Sequence, residues 1–67
     1  MDRTKTIYDA IENKMSASSY LLANKLDDSF FMGSKGKRHK RQVVAGFIKR
    51  LKETNKLEEI NGRWYKI

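Results

Sequence analysis

The chain has 67 residues, no cysteine and a formal net charge of +7 at neutral pH. A chain of this length forms one domain with a small core, because such domains bury only about 60% of the surface of the extended chain. We therefore expect no deep substrate cleft, no disulfide and no thiolate metal site. No apolar run approaches the roughly 20 residues that span a bilayer, so we expect a soluble protein without a membrane partner.

The positive charge is concentrated in the second half of the chain. Residues 1 to 34 carry four Lys or Arg against five Asp or Glu, a net charge of −1, whereas residues 35 to 67 carry eleven against three, a net charge of +8. A concentrated positive field attracts polyanions such as nucleic acid or an anionic membrane surface. A merely solubilising charge is the alternative, although solubility does not require such concentration.

A first amphipathic helix is predicted over residues 4 to 14. Ile7 and Ile11 fall on one helical face because they stand about one turn apart, and Thr4 or Thr6 is available as the N-cap. This spacing is typical of a helix with one apolar face.

A second helix of about ten residues is predicted to follow the serines Ser16, Ser18 and Ser19, which are candidate N-caps. Leu22 and Leu26 stand about one turn apart in it. Their spacing again indicates one apolar face.

Residues 29 to 41, SFFMGSKGKRHKR, break the periodic pattern. Two glycines and a serine among polar residues predict a loop. Phe30, Phe31 and Met32 are too apolar to remain in water, so we expect some of them to fold back as a lid on a small core. The alternative is a surface patch for a protein partner.

The clearest helix is predicted over residues 41 to 55. The apolar residues at positions i, i+3, i+4 and i+7 are Val44, Phe47, Ile48 and Leu51. Asn55 follows this stripe, at the position where a residue in the left-handed conformation commonly ends a helix.

The chain closes with a predicted β-hairpin, LEEINGRWYKI, in which an Asn-Gly pair favours a two-residue type I′ turn. This turn places Ile60 opposite Arg63 and Glu59 opposite Trp64. We expect Trp64 and Tyr65 to anchor the hairpin to the core on opposite strand faces.

The order of three helices and a hairpin resembles a winged helix-turn-helix over nearly the whole chain. SSYLLANKL is similar to the second helix of such domains, VVAGFIKRLKETNKLEEI to the third helix and first wing strand, and NGRWYKI to the wing tip and last strand. A fainter similarity, in IYDAI, IKRL and NKLEEINGRWYKI, points to the globular domains of linker histones. The resemblance implies one α+β domain over residues 1 to 67, a three-helix bundle followed by a C-terminal wing.

The outer face of the third helix suits a DNA major groove. On a helical wheel Gln42, Gly46 and Lys49 lie opposite the apolar stripe, with Arg50 at the flank. Gln can bond adenine edges, and Lys or Arg can contact guanine or phosphate. Gly in a helix interior costs about 1 kcal/mol relative to Ala, so Gly46 indicates close approach of either DNA or another helix.

A basic cluster stands at the entrance to the third helix. Its members are Lys35, Lys37, Arg38, Lys40 and Arg41, with His39 among them as a further phosphate contact or a solvent-facing side chain. The positive end of the helix dipole adds attraction for phosphate, so we expect a polyanion-binding surface there. KGKRHKR also fits a nuclear localisation signal.

These features predict a monomer that binds double-stranded DNA inside the cell, in a nucleus or nucleoid, as a transcriptional or genome-maintenance regulator. Arg63 and Lys66 of the wing are expected on phosphates or in a minor groove, as the resemblance implies. His39 stands without cysteine, and no nucleophile has a base at recognisable spacing, so we expect no metal, no cofactor and no catalysis.

Three alternatives remain open. One is a protein-interaction module of a nucleic-acid-processing complex, which would use Phe30, Phe31 and Met32 as its docking patch. Another is an architectural DNA binder like a linker histone. The last is RNA binding, since charge alone does not separate the two nucleic acids.

Overall fold

The computed structural model describes residues 2 to 31 and 36 to 67, with the backbone alone at Lys37. Within these residues the elements are α1 (Arg3–Ala10), α2 (Ser19–Lys25), a 3₁₀ turn (Asp28–Phe31), α3 (Lys37–Glu53), β1 (Leu57–Ile60) and β2 (Arg63–Lys66). The fold class is α+β, as predicted. In the described residues three α-helices precede an antiparallel hairpin, which is the arrangement of a small winged helix.

Helix α1 ends at Ala10, earlier than the predicted residue 14. Its N-cap is Asp2, whose Oδ1 accepts from the backbone N–H of Thr4 at 3.0 Å and of Lys5 at 3.3 Å. The prediction of a threonine cap was therefore wrong. A carboxylate one residue before the helix caps it better, because its charge also complements the helix dipole.

Helix α2 begins at Ser19 and ends at Lys25, so it has seven residues rather than about ten. Ser18 is the N-cap, and its hydroxyl accepts from the N–H of Leu21 at 3.2 Å. One of the three candidate serines therefore has the predicted role. The helix stops because Leu26 is extended, with φ −93° and ψ 147°.

The segment between α1 and α2 lies alongside β2, which the sequence did not predict. The Lys14 N–H donates to the Trp64 carbonyl at 2.7 Å, and the Trp64 N–H donates to the Met15 carbonyl at 3.0 Å. An antiparallel bridge joins Ser16 and Arg63. β2 is therefore bonded on both sides, by β1 and by this segment.

The prediction of a loop over residues 29 to 41 was wrong in its second part, because α3 already begins at Lys37. Lys and Arg are good helix formers, so the basic residues continue the helix toward its N-terminus without any apolar periodicity to mark them. Gly36, with φ 89°, provides the turn from which the helix begins. The predicted basic cluster is therefore mostly helical.

Helix α3 ends at Glu53, and the chain leaves it through Asn55, whose φ of 59° confirms the predicted left-handed residue. The Lys56 N–H donates to the Leu51 carbonyl at 2.9 Å, and the Asn55 N–H donates to the Lys52 carbonyl at 3.1 Å. This pair of bonds is the Schellman motif, which satisfies the last carbonyls of the helix.

The hairpin has the predicted turn and register. Asn61 and Gly62 have φ of 51° and 73°, the positive values that a type I′ turn requires. The pairs are Ile60 with Arg63, Glu59 with Trp64 and Glu58 with Tyr65. Lys52 Nζ lies 2.9 Å from Glu59 Oε1, which joins α3 to β1 and lowers the pKa of Glu59.

The core receives apolar side chains from every element. The buried ones are Ile7, Ile11, Leu22, Ala23, Phe30, Phe31, Val44, Ile48, Leu51, Leu57 and Trp64. Phe30 and Phe31 are only 3% and 2% exposed, so they form the predicted lid. The docking patch suggested for these rings is therefore not available on the surface, and Met32 lies outside the described residues.

Candidate nucleic-acid interface

Helix α3 turns one face to solvent, which we call the outward face. Its exposed members are Arg38, His39, Gln42, Gly46, Lys49, Arg50 and Glu53. They point away from the side of α3 that carries Val44, Ile48 and Leu51 into the core. The sequence predicted this division correctly, because the spacing of the apolar stripe fixes which side chains remain outside.

Most cations of the outward face are not engaged in the fold. The ion pairs between described residues involve Lys25, Lys40 and Lys52. Among the same residues, Arg38, Lys49 and Arg50 take part in no ion pair. Their charge is therefore available to an anion from outside.

Arg41 is also exposed and forms no ion pair in the described part of the chain, but it stands beside the outward face. It precedes Ile48 by seven residues, which is close to two full turns, so its side chain leaves α3 at the border between the buried stripe and the outward face.

Gly46 opens the backbone of α3 to solvent. A Cβ built at this position would meet nothing within 4 Å. The hypothesis that Gly46 allows tight packing against α1 or α2 is therefore wrong, because no neighbouring element in the described residues approaches it. A close approach from outside the chain is the hypothesis that remains.

Lys40 holds the 3₁₀ turn against α3. Its Nζ lies 2.7 Å from Asp28 Oδ1 and 5.4 Å from the centroid of the Phe31 ring. The hydrogen bond and charge of Lys40 lower the pKa of Asp28. Lys40 precedes Val44 by one turn and so lies on the core side, which means that it stabilises the lid instead of joining the outward face.

Two other members of the basic cluster lie wholly or partly outside the described residues. Lys35 is not among the described residues, and only the backbone of Lys37 is, as the first residue of α3. Gly36 provides no side-chain cap for this helix end. The first turn of α3 therefore depends on other groups to satisfy its N–H donors.

The wing cations contact the rest of the fold. The Arg63 guanidinium donates through Nη1 to the Lys14 carbonyl at 2.8 Å. The Lys66 backbone N–H donates to Asn13 Oδ1 at 3.0 Å, and its Nζ lies 4.6 Å from the centroid of the Tyr8 ring. Both side chains tie the wing to the first helix and the segment after it.

Arg3 is a structural cation that no pattern in the sequence predicted. Its guanidinium carbon lies 5.0 Å from the centroid of the Phe30 ring and 5.3 Å from that of the Phe47 ring. A guanidinium over an aromatic face is attracted by the ring quadrupole. Arg3 therefore fastens α1 to the lid and to the flank of α3.

Within the described residues no three His, Asp or Glu side chains are grouped as a metal site requires, and no helix there combines the length and apolarity needed to cross a membrane. Comparisons with protein-family models, curated proteins and solved structures found no match to this chain.

Proposed function

We propose that this protein binds double-stranded DNA as a monomer, with the outward face of α3 in the major groove. The observation that carries the proposal is the row of Arg38, Gln42 and Lys49, exposed on one side of a single helix and free of ion pairs in the described residues. From first to last this row extends about 16 Å along the helix axis. A major groove about 12 Å wide admits a helix that carries such a row.

The side chains of this row suit the edges of base pairs. Gln42 can bond the N6 and N7 atoms of adenine, and Lys49 can donate to the acceptors of guanine. Gly46 stands between them without a side chain, so the helix backbone can approach the groove floor closely. We propose Gln42 and Lys49 as base contacts and Arg38, Arg41 and Arg50, with His39, as phosphate contacts.

Arg63 and Lys66 have a different role in this proposal. Because their cationic groups bind a carbonyl and an aromatic ring of the same chain, they support the binding surface by holding the wing. We infer that α3 provides most of the electrostatic attraction.

Duplex RNA is the less suitable partner. The major groove of A-form RNA is deep and too narrow for side chains on a helix to reach its bases. A duplex-DNA partner implies an intracellular protein of a nucleus or nucleoid, and a role in transcription or genome maintenance.

The test is fluorescence anisotropy of a labelled DNA duplex at several salt concentrations, beside a single strand and an RNA duplex. Contacts from the three arginines to phosphate predict a slope of log affinity against log salt of about −2.7. Lys49→Glu should weaken duplex binding by about tenfold or more. Lys5→Glu makes the same charge change on α1 and should reduce affinity far less, through net charge alone.

Equal losses in the two variants would show that net charge, and not the outward face, attracts the duplex. Failure of the unmodified protein to bind duplex DNA at low salt would contradict the proposal altogether. Circular dichroism of each variant checks that the fold is retained.

A further inference from the structure

A groove of about 470 Å³ lies between the first turns of α1 and the C-terminal end of α3. Its lining residues are Asp2, Thr4, Lys5, Tyr8, Leu51 and Lys56. The volume falls within the range of about 300 to 1,000 Å³ that is common for ligand sites. The DNA-binding proposal does not use this groove.

The groove and the outward face lie on opposite sides of α3. Leu51 belongs to the buried stripe of α3, which points away from the outward face. A duplex bound to the outward face would therefore leave the groove open. A second partner could be bound at the same time.

The groove combines an apolar floor with a cationic rim. The half-buried ring of Tyr8 forms most of the floor, with the buried Leu51 beneath it, while Lys5 and Lys56 stand exposed at the rim and form no ion pair within the described residues. Lys66 adds a third positive charge, since its Nζ lies 4.6 Å from the centroid of the Tyr8 ring. These groups attract an anion that also carries an apolar side chain.

The carboxylate in the groove does not cancel this charge. Asp2 Oδ1 accepts from the backbone N–H groups of Thr4 and Lys5, at the positive end of the α1 dipole. Its charge offsets that of one of the two rim lysines, which leaves the lining residues with a net charge of +1. The local balance favours an anionic occupant.

We propose that this groove binds an acidic peptide segment of a protein partner. Carboxylates of the segment would pair with Lys5 and Lys56, and an apolar or aromatic side chain would pack against the Tyr8 ring. A second DNA duplex is the weaker fit, because phosphate contacts make no use of an apolar floor. This inference does not depend on DNA binding at the outward face.

The experiment measures anisotropy of a short labelled peptide of Asp and Glu residues with one central Phe. Lys5→Glu and Lys56→Glu should each weaken peptide binding by about fivefold to tenfold. Lys49→Glu is the matched control, with the same charge change on the opposite face, and should leave peptide affinity nearly unchanged. Replacing the central Phe of the peptide by Ser should also weaken binding.

Chemical-shift mapping on the unmodified protein locates the peptide-binding site without any substitution that could disturb the fold. Shifts centred on the amides of Tyr8, Leu51 and Lys56 on peptide addition support the groove. Shifts centred on residues 38 to 50 overturn it, because the peptide would then occupy the outward face as a polyanion.

Two further outcomes overturn the proposal. One is the absence of peptide binding at low salt. The other is a loss of duplex-DNA affinity in Lys56→Glu as large as that in Lys49→Glu, which would make the groove a second nucleic-acid surface. Failure of the DNA proposal is separate, since it shows in the duplex titrations, as absent binding at low salt or as equal losses in Lys49→Glu and Lys5→Glu, and not in peptide binding.

Discussion

The cations of α3 and those of the wing look alike in the sequence and differ in the structure. Arg38 is exposed on the outward face and forms no ion pair in the described residues. Arg63 is also exposed, yet its guanidinium donates to the Lys14 carbonyl, 49 residues away in the chain. The first is available to a ligand, whereas the second closes a long-range contact of the fold.

The difference shows that a count of positive residues overestimates a binding surface. Lys40, Lys52 and Arg63 were all part of the basic second half of the chain, and each now has a partner within the same molecule. Replacing an engaged cation should change stability, and replacing a free one should change binding. This contrast can be measured with matched substitutions.

Arg63→Ala should give the largest change in stability among these tests. Removing the guanidinium leaves the Lys14 carbonyl without this donor, and we expect the free energy of unfolding to fall by about 1 to 2 kcal/mol. Urea unfolding followed by circular dichroism measures the change. DNA affinity of the folded protein should stay close to that of the unmodified chain.

Arg38→Ala is the matched control, since it removes the same side chain from the outward face. Its unfolding free energy should change by no more than about 0.5 kcal/mol, whereas its duplex affinity should fall. If the two arginine variants lose stability equally, or if Arg63→Ala loses more DNA affinity than Arg38→Ala, the division between free and engaged cations is wrong.

Gly46→Ala separates stability from binding at one residue. Because a Cβ there meets nothing within 4 Å, Ala should stabilise the fold by about 1 kcal/mol through its higher helix propensity. Gly46→Leu should weaken duplex binding, since its side chain would fill the space between Gln42 and Lys49. Thermal unfolding and anisotropy measure the two effects.

A lower stability of Gly46→Ala would show that some element does pack on this face. Unchanged duplex affinity of Gly46→Leu would contradict the close approach of DNA. Ala45→Leu, one residue earlier and also exposed, is the control for added bulk beside the row of Arg38, Gln42 and Lys49.

Local rules predicted the parts of the fold that depend on neighbours in sequence. The hairpin register followed from the dihedral angles that Asn61 and Gly62 favour, and the end of α3 followed from the left-handed Asn55. The start of α3 was missed because charged residues show no apolar periodicity, and the cap of α1 was missed because Asp2 competes with two threonines.

The contacts that decide which cations are free could not be predicted in this way. The pairing of Lys14 and Met15 with Trp64 joins polar backbone to a strand about 50 residues away, and nothing in the side-chain pattern marks it. The same holds for Arg3 above Phe30. Such contacts follow from the packing of whole elements. The sequence therefore predicted which face of α3 forms the candidate site, but not which of the basic residues belong to it.

Lys14→Gly tests the segment that receives Arg63. Lys14 has φ 72°, a left-handed conformation that costs a residue with a Cβ roughly 1 kcal/mol. Because its bonds to β2 use only backbone atoms, glycine can keep them, and we expect stability to rise by about 0.5 kcal/mol. Lys14→Ala keeps the strain and should not be stabilised, and a loss of stability in Lys14→Gly would argue against strain at this residue.

Asp28→Asn should have the smallest effect and should show it as a dependence on pH. Lys40 lowers the pKa of Asp28 in the folded state, first by its hydrogen bond and then by its charge. The stabilisation is therefore present above the ordinary pKa of Asp and is lost as the pH falls through the lowered value.

Thermal unfolding between neutral pH and about pH 2 measures this loss, and the unmodified protein should lose more stability over that window than Asp28→Asn. Asp27→Asn is the control, because the Asp27 side chain forms no ion pair in the described residues, and it should follow the unmodified curve. An Asp28→Asn curve parallel to that of the unmodified protein would mean that Lys40 is not held by Asp28. In that case Lys40 would return to the free cations of α3, and its replacement should then reduce DNA affinity.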